Sequence, residues 1–80
     1  MTPEQCRAAR GLLDLSQREL GRLANMSDIT VRLFEKRTRV PIANSLSAMR
    51  RALEAAGVEF VDGENEGVRF AQPASVRGRE

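Results

Sequence analysis

A mostly α domain of four helices, closed by a short C-terminal β-hairpin, is predicted by three observations. Four stretches carry apolar residues at helical spacing, each opening on a residue suited to an N-cap. After Gly57 the period changes from helical to alternating. The chain has 80 residues, enough for one small domain, and its 41% hydrophobic and 30% charged residues suit a packed chain rather than a disordered one.

Helix 1 is expected to open at Thr2-Pro3. Thr2 serves as N-cap, Pro3 suits the first helical position, and Gln5 sits where a capping box places Glu or Gln. Cys6, Ala9 and Leu13 share one face, and the helix should end near Leu13, before the short connection Asp14-Leu15-Ser16. Ser16-Gln17-Arg18-Glu19 is a full capping box and opens helix 2, with Leu20, Leu23 and Ala24 as its inward stripe. Asn25 tolerates the left-handed conformation that a tight turn after a helix needs. Helix 3 starts behind Ser27 as N-cap, with Asp28 in a first turn that favours negative charge, and runs to about Lys36. Val31 and Phe34 face the core. Ile29, Arg32, Leu33 and Lys36 fall on other faces.

A basic loop, Arg37-Thr38-Arg39-Val40-Pro41, follows. Helix 4 is expected from Asn44, taken as its N-cap, to Ala56, with Leu46, Met49, Leu53 and Ala56 inward and Gly57 as the stop. Val58-Glu59-Phe60-Val61 and Val68-Arg69-Phe70 then flank a longer Gly-containing loop, as two strands of a hairpin. A lone hairpin is marginal, so Phe60 and Phe70 must pack on helix 4 or on a second subunit. The division is thus residues 1–57 as the helical domain, 58–70 as a hairpin available for dimerisation, and 71–80 as a disordered tail.

Composition narrows the function. There is one cysteine, Cys6, and no histidine, so neither an internal disulfide nor a zinc site is expected, and no cofactor is called for. Cys6 suits a small core position on the inner face of helix 1. A histidine base, a phosphate-binding glycine loop and a credible nucleophile are all missing, which argues against an enzyme. Three phenylalanines are too few for a base-stacking platform on single strands. No stretch approaches the roughly 20 apolar residues of a membrane span, and the N-terminus lacks the apolar core of a signal peptide. A cytoplasmic protein without membrane contact is expected. The net charge of +2 is uneven: ten basic and six acidic residues over 1–57 give +4, three and five over 58–80 give −2. The basic excess lies in the helical part, where a phosphate backbone would be held.

Ser16 to Lys36 reads as helix, short turn, helix. Gly21 is the small residue where two steeply crossing helices approach, Asn25 makes the turn, and Leu20, Met26, Val31 and Phe34 lock one helix on the other. The scaffold then projects helix 3 outward, at a size a DNA major groove admits. Ser16-Gln17-Arg18-Glu19-Leu20, Leu23-Ala24-Asn25-Met26-Ser27, Thr30-Val31-Arg32 and Phe34-Glu35 together resemble the lambda-repressor-like, or XRE-type, helix-turn-helix regulators, over about residues 3–57. The run Leu53 to Phe60 is similar to short regulators that finish in strands.

The resemblance implies a sequence-specific regulator of transcription, a repressor or an activator, bound to double-stranded DNA as a homodimer on a palindromic operator. It implies base reading by Asp28, Ile29, Arg32 and Leu33. It implies backbone contacts from Gln17, Ser27, Thr30, Lys36, Arg37, Thr38 and Arg39, and a structural ion pair between Arg10 and Glu35. Three positions depart from the family pattern: Asn25 replaces the usual turn glycine, and Ile29 and Leu33 stand where polar readers are common. Apolar side chains meet thymine methyls but cannot hydrogen-bond a base. For Arg32 the alternatives are a base fork, a phosphate or solvent. For Asp28 they are a cytosine amine or the helix dipole. Ile29 and Leu33 alternatively belong to the core or to a protein surface, and Arg50-Arg51 to a solvated face. A second function class therefore stays open, an antitoxin or antiactivator that binds a protein partner through the same fold.

Overall fold

The computed structural model describes residues 1–71. Its elements are α1 (Pro3–Leu13), α2 (Gln17–Leu23), α3 (Asp28–Glu35), α4 (Ala43–Ala56), β1 (Val58–Val61) and β2 (Gly67–Phe70). The expected tail, from residue 72 on, lies outside the described residues.

Local chemistry sets the boundaries of the first three helices. The Thr2 hydroxyl accepts from Gln5 N at 3.0 Å while the Gln5 carboxamide accepts from Thr2 N at 2.9 Å, so both caps of the predicted box form. Ser16 and Glu19 repeat the arrangement at α2. Asp14 and Asn25 adopt left-handed φ values of 57° and 59°, which lets the chain turn sharply after each helix. Ser27 caps α3 by accepting from Ile29 N at 3.0 Å. Helix α3 closes at Glu35, with Lys36 as its C-cap.

Three expectations at the helices are corrected. Asn44 does not cap α4: the N-cap is Ile42, whose extended backbone carries no side-chain cap bond, while its carbonyl accepts from Ser45 N and Leu46 N. The extended conformation after Pro41 already starts the helix two residues earlier than a side-chain cap would. Leu23 is 55% exposed, because Leu20 and Ala24 point at the core and Leu23 lies to one side of that line. Ala56 is exposed at the end of α4, and Met49 and Leu53 carry the buried stripe.

The core is formed by Cys6 and Ala9 of α1, Leu20 of α2, Val31 and Phe34 of α3, Met49 and Leu53 of α4, Val58 of β1, and the cap residue Ala24. Helices α2 and α3 pack closely because Gly21 has no side chain. A Cβ there would lie 2.8 Å from the Met26 carbonyl oxygen. Strands β1 and β2 pair antiparallel, with Val58 opposite Phe70 and Val61 opposite Gly67. The hairpin packs inside its own chain, β1 on α1 and α4, β2 on α1. Gln5 clamps it. Its buried amide donates to Val61 O and Gly67 O, each at 3.1 Å, so one side chain satisfies both strand ends at the turn. Arg50 lies over the Phe60 ring, 5.0 Å from its centroid, a cation–π contact.

Candidate functional site

A buried carboxylate holds α3 in place. Glu35 accepts from Arg10 through two bonds of 2.7 Å, one to each oxygen, the planar fork geometry that arginine offers. Gln17 Nε2 adds a bond of 3.0 Å from α2, and the Cys6 thiol donates at 3.1 Å from α1. Arg7 Nη1 reaches the Glu35 carbonyl oxygen at 2.6 Å, where the last turn of α3 leaves it free. Burial by itself would push the Glu35 carboxyl up. The hydrogen bonds from Arg10, Gln17 and Cys6 and the Arg10 charge outweigh burial and hold it below its usual value. Burial and the neighbouring carboxylate push the Cys6 thiol far up, so it stays a neutral donor.

This cluster fixes α3 with one face inward and one outward. Val31 and Phe34 are buried, whereas Asp28, Ile29, Arg32 and Lys36 are exposed. Ile29 is 51% exposed, a large apolar side chain in solvent. Leu33 is half-buried, and its carbonyl accepts from Thr38 N at 2.9 Å and Arg39 N at 3.3 Å, which folds the basic loop against the end of α3. Arg37 turns that loop with a left-handed φ of 63°.

The candidate backbone-contact residues divide. Lys36, Thr38 and Arg39 are exposed, and Thr30 is half-buried. The Ser27 hydroxyl oxygen is used as a cap acceptor, which leaves its O–H to donate elsewhere. Gln17 turns its amide onto Glu35. Arg37 is engaged by Glu4 of α1, with its Nη2 at 2.6 and 2.7 Å from the two carboxylate oxygens. Both side chains of that pair are more than half exposed, so it is weakly held.

Charge pairing sorts the arginines by location. Arg7, Arg10, Arg37, Arg50 and Arg69 each face a carboxylate. Among the described residues, Arg18 and Arg22 of α2, Arg32 of α3, and Lys36 and Arg39 after it face none. Arg51 of α4 is a sixth. The unneutralised cations therefore concentrate on α2, α3 and the loop that follows. Arg18 and Arg22 escaped the sequence reading. They stand four apart on α2, a spacing that puts both on one face and that was legible. Arg7, and the bond from the capping residue Gln5 to the hairpin, escaped it too, since their partners lie far along the chain.

No family model matches the chain, and no curated protein matches it. Among solved structures, it is similar to the DNA-binding domain of the P22 C2 repressor, solved by nuclear magnetic resonance. The identity is 29% and the TM-score 0.61, over 65% of this chain and 68% of that one. By fold the chain is a lambda-repressor-like helix-turn-helix protein. No helix among the described residues is long and apolar enough to cross a membrane.

Proposed function

We propose that the chain binds double-stranded DNA and regulates transcription, with α3 in the major groove. The observation that carries this reading is the outward face of α3 and its flanks, where Arg32, Lys36 and Arg39 are exposed and, among the described residues, form no ion pair. Clustered cations raise the local potential and favour an anionic partner such as a phosphate backbone. Likeness to a repressor's DNA-binding domain supports the same reading. On that surface Arg32 forks onto a guanine, Ile29 and Leu33 meet thymine methyls, and Asp28 accepts from a cytosine amine. Lys36, Thr38, Arg39, Ser27 and Thr30 hold phosphates. Gln17 and Arg37 join them by exchanging Glu35 and Glu4 for a phosphate oxygen.

The protein acts as a homodimer whose two α3 helices meet half-sites about one turn of DNA, ~34 Å, apart. The test is to select binding sites from random duplexes and compare the wild type with Arg32→Ala on the best site. The variant should lose about 1–3 kcal/mol on that site and much less on scrambled duplex. Equal losses on both would make Arg32 a phosphate contact only.

One observation favours a second reading. Val40 and Ile42 are 80% and 72% exposed on either side of Pro41. Paired apolar side chains in solvent suit a protein partner, as an antitoxin or antiactivator would have. Co-purification of a stoichiometric partner that Val40→Asp releases would support it.

A further inference from the structure

Among the described residues, the outer edge of β2 is open. Ala71 N donates to Gly57 O at 2.8 Å, which sets the alternation of the ladder. Residues 67, 69 and 71 therefore turn their main-chain groups toward β1, and Val68 and Phe70 turn theirs away. No other part of the described chain takes the N–H or C=O groups of Val68 and Phe70. On the other strand, the Val58 side chain is buried and α4 packs on β1. Strand β2 also lacks the usual defences of an edge: it holds no proline, no lysine and no bulge. Its one charge, Arg69, is already held by Glu59 across the ladder. Phe70 is 57% exposed beside this edge.

We propose that β2 pairs antiparallel with β2 of a second copy of this chain, about a two-fold axis normal to the sheet at Arg69. This deepens the dimeric reading above and rests on it. With the axis there, Val68 stands opposite Phe70 of the partner subunit, and Phe70 opposite its Val68. All four unspent main-chain groups of each strand are then used, in the closely bonded pairs of an antiparallel ladder. The same register sets Val68 and Phe70 side by side across the junction on the face that turns toward α1, so each Phe70 ring gains an apolar neighbour. An axis at Val68 would instead put Phe70 opposite Glu66. The two Arg69 side chains meet on the outer face, each entering as half of an Arg–Glu pair. The acidic turns, residues 62–66, end at opposite ends of the four-stranded sheet, so they do not repel. A foreign strand could take the same hydrogen bonds, but the self-complementary Val68–Phe70 match favours a second copy.

Light scattering after size exclusion, with no DNA present, should give twice the 8.9 kDa chain mass for the full chain. Phe70→Pro removes an N–H that points away from β1 and leaves the hairpin intact. It should raise the dimer dissociation constant about tenfold or more, with the helical circular dichroism unchanged. If that variant fails to fold, Phe70→Asp, an exchange at an exposed side chain, decides in its place. A wild type that is monomeric at all concentrations overturns the proposal, as does a variant that stays dimeric. Loss of the dimer in a folded variant supports it. A dimer that binds no duplex would refute the DNA reading and leave the paired edge standing.

Discussion

At Glu35 a carboxylate is taken out of water and repaid by Arg10, Gln17 and Cys6, drawn from two other helices. Breaking such a group is costlier than making it is favourable, because the survivor stays buried and charged. Arg10→Ala should therefore destabilise the fold by about 3 kcal/mol, the low end for a buried pair since Arg10 is 18% exposed. Urea denaturation measures it. The pH dependence follows from the sign of the shift. Glu35 titrates below its ordinary 4.5 in the folded chain, so its stabilisation is complete above that pH and is lost as the pH falls through the folded value. In Glu35→Gln the acid limb of the stability curve should flatten, and an unchanged limb would mean that other carboxylates set it.

Helix starts were legible wherever a side chain does the capping. Thr2, Ser16 and Ser27 each mark one, and the boundaries follow to the residue. Helix α4 broke that rule, since Ile42 caps with backbone alone, and backbone caps leave no mark in residue type. The outward face of α3 was legible from its period. Gln5 on the hairpin and Arg7 on the Glu35 carbonyl were not, because such bonds depend on where distant segments come to rest. The turn was legible as well: Asn25 takes the left-handed conformation and Gly21 leaves room for Met26. Gly21→Ala tests that packing. Its Cβ would meet backbone at 2.8 Å, which cannot swing aside as a side chain would. A net loss of about 1–3 kcal/mol is expected in thermal or urea melts, despite the better helix propensity of alanine. A stabilised variant would mean that α2 and α3 separate at little cost.

The whole molecule couples its parts through α1. That helix carries Gln5 to the hairpin, and Cys6, Arg7 and Arg10 to the end of α3. Its cations are spent on carboxylates and on that helix end, while among the described residues Arg18, Arg22, Arg32, Lys36 and Arg39 of α2, α3 and the following stretch pair with no carboxylate. The cations without an ion pair thus lie mostly on the helix-turn-helix, the part proposed to meet DNA. A chain of this size has little core to spare, and a second subunit on the hairpin would add to it without touching that part. The outward surface of α3 is proposed to recognise duplex DNA of a particular sequence. The most direct measurement is fluorescence anisotropy of the protein titrated with its selected duplex and with scrambled duplex, across a series of salt concentrations. Tighter binding to the selected duplex is expected, weakening steeply as salt rises, because phosphate contacts release counterions. Absence of binding to any duplex at low salt would contradict it.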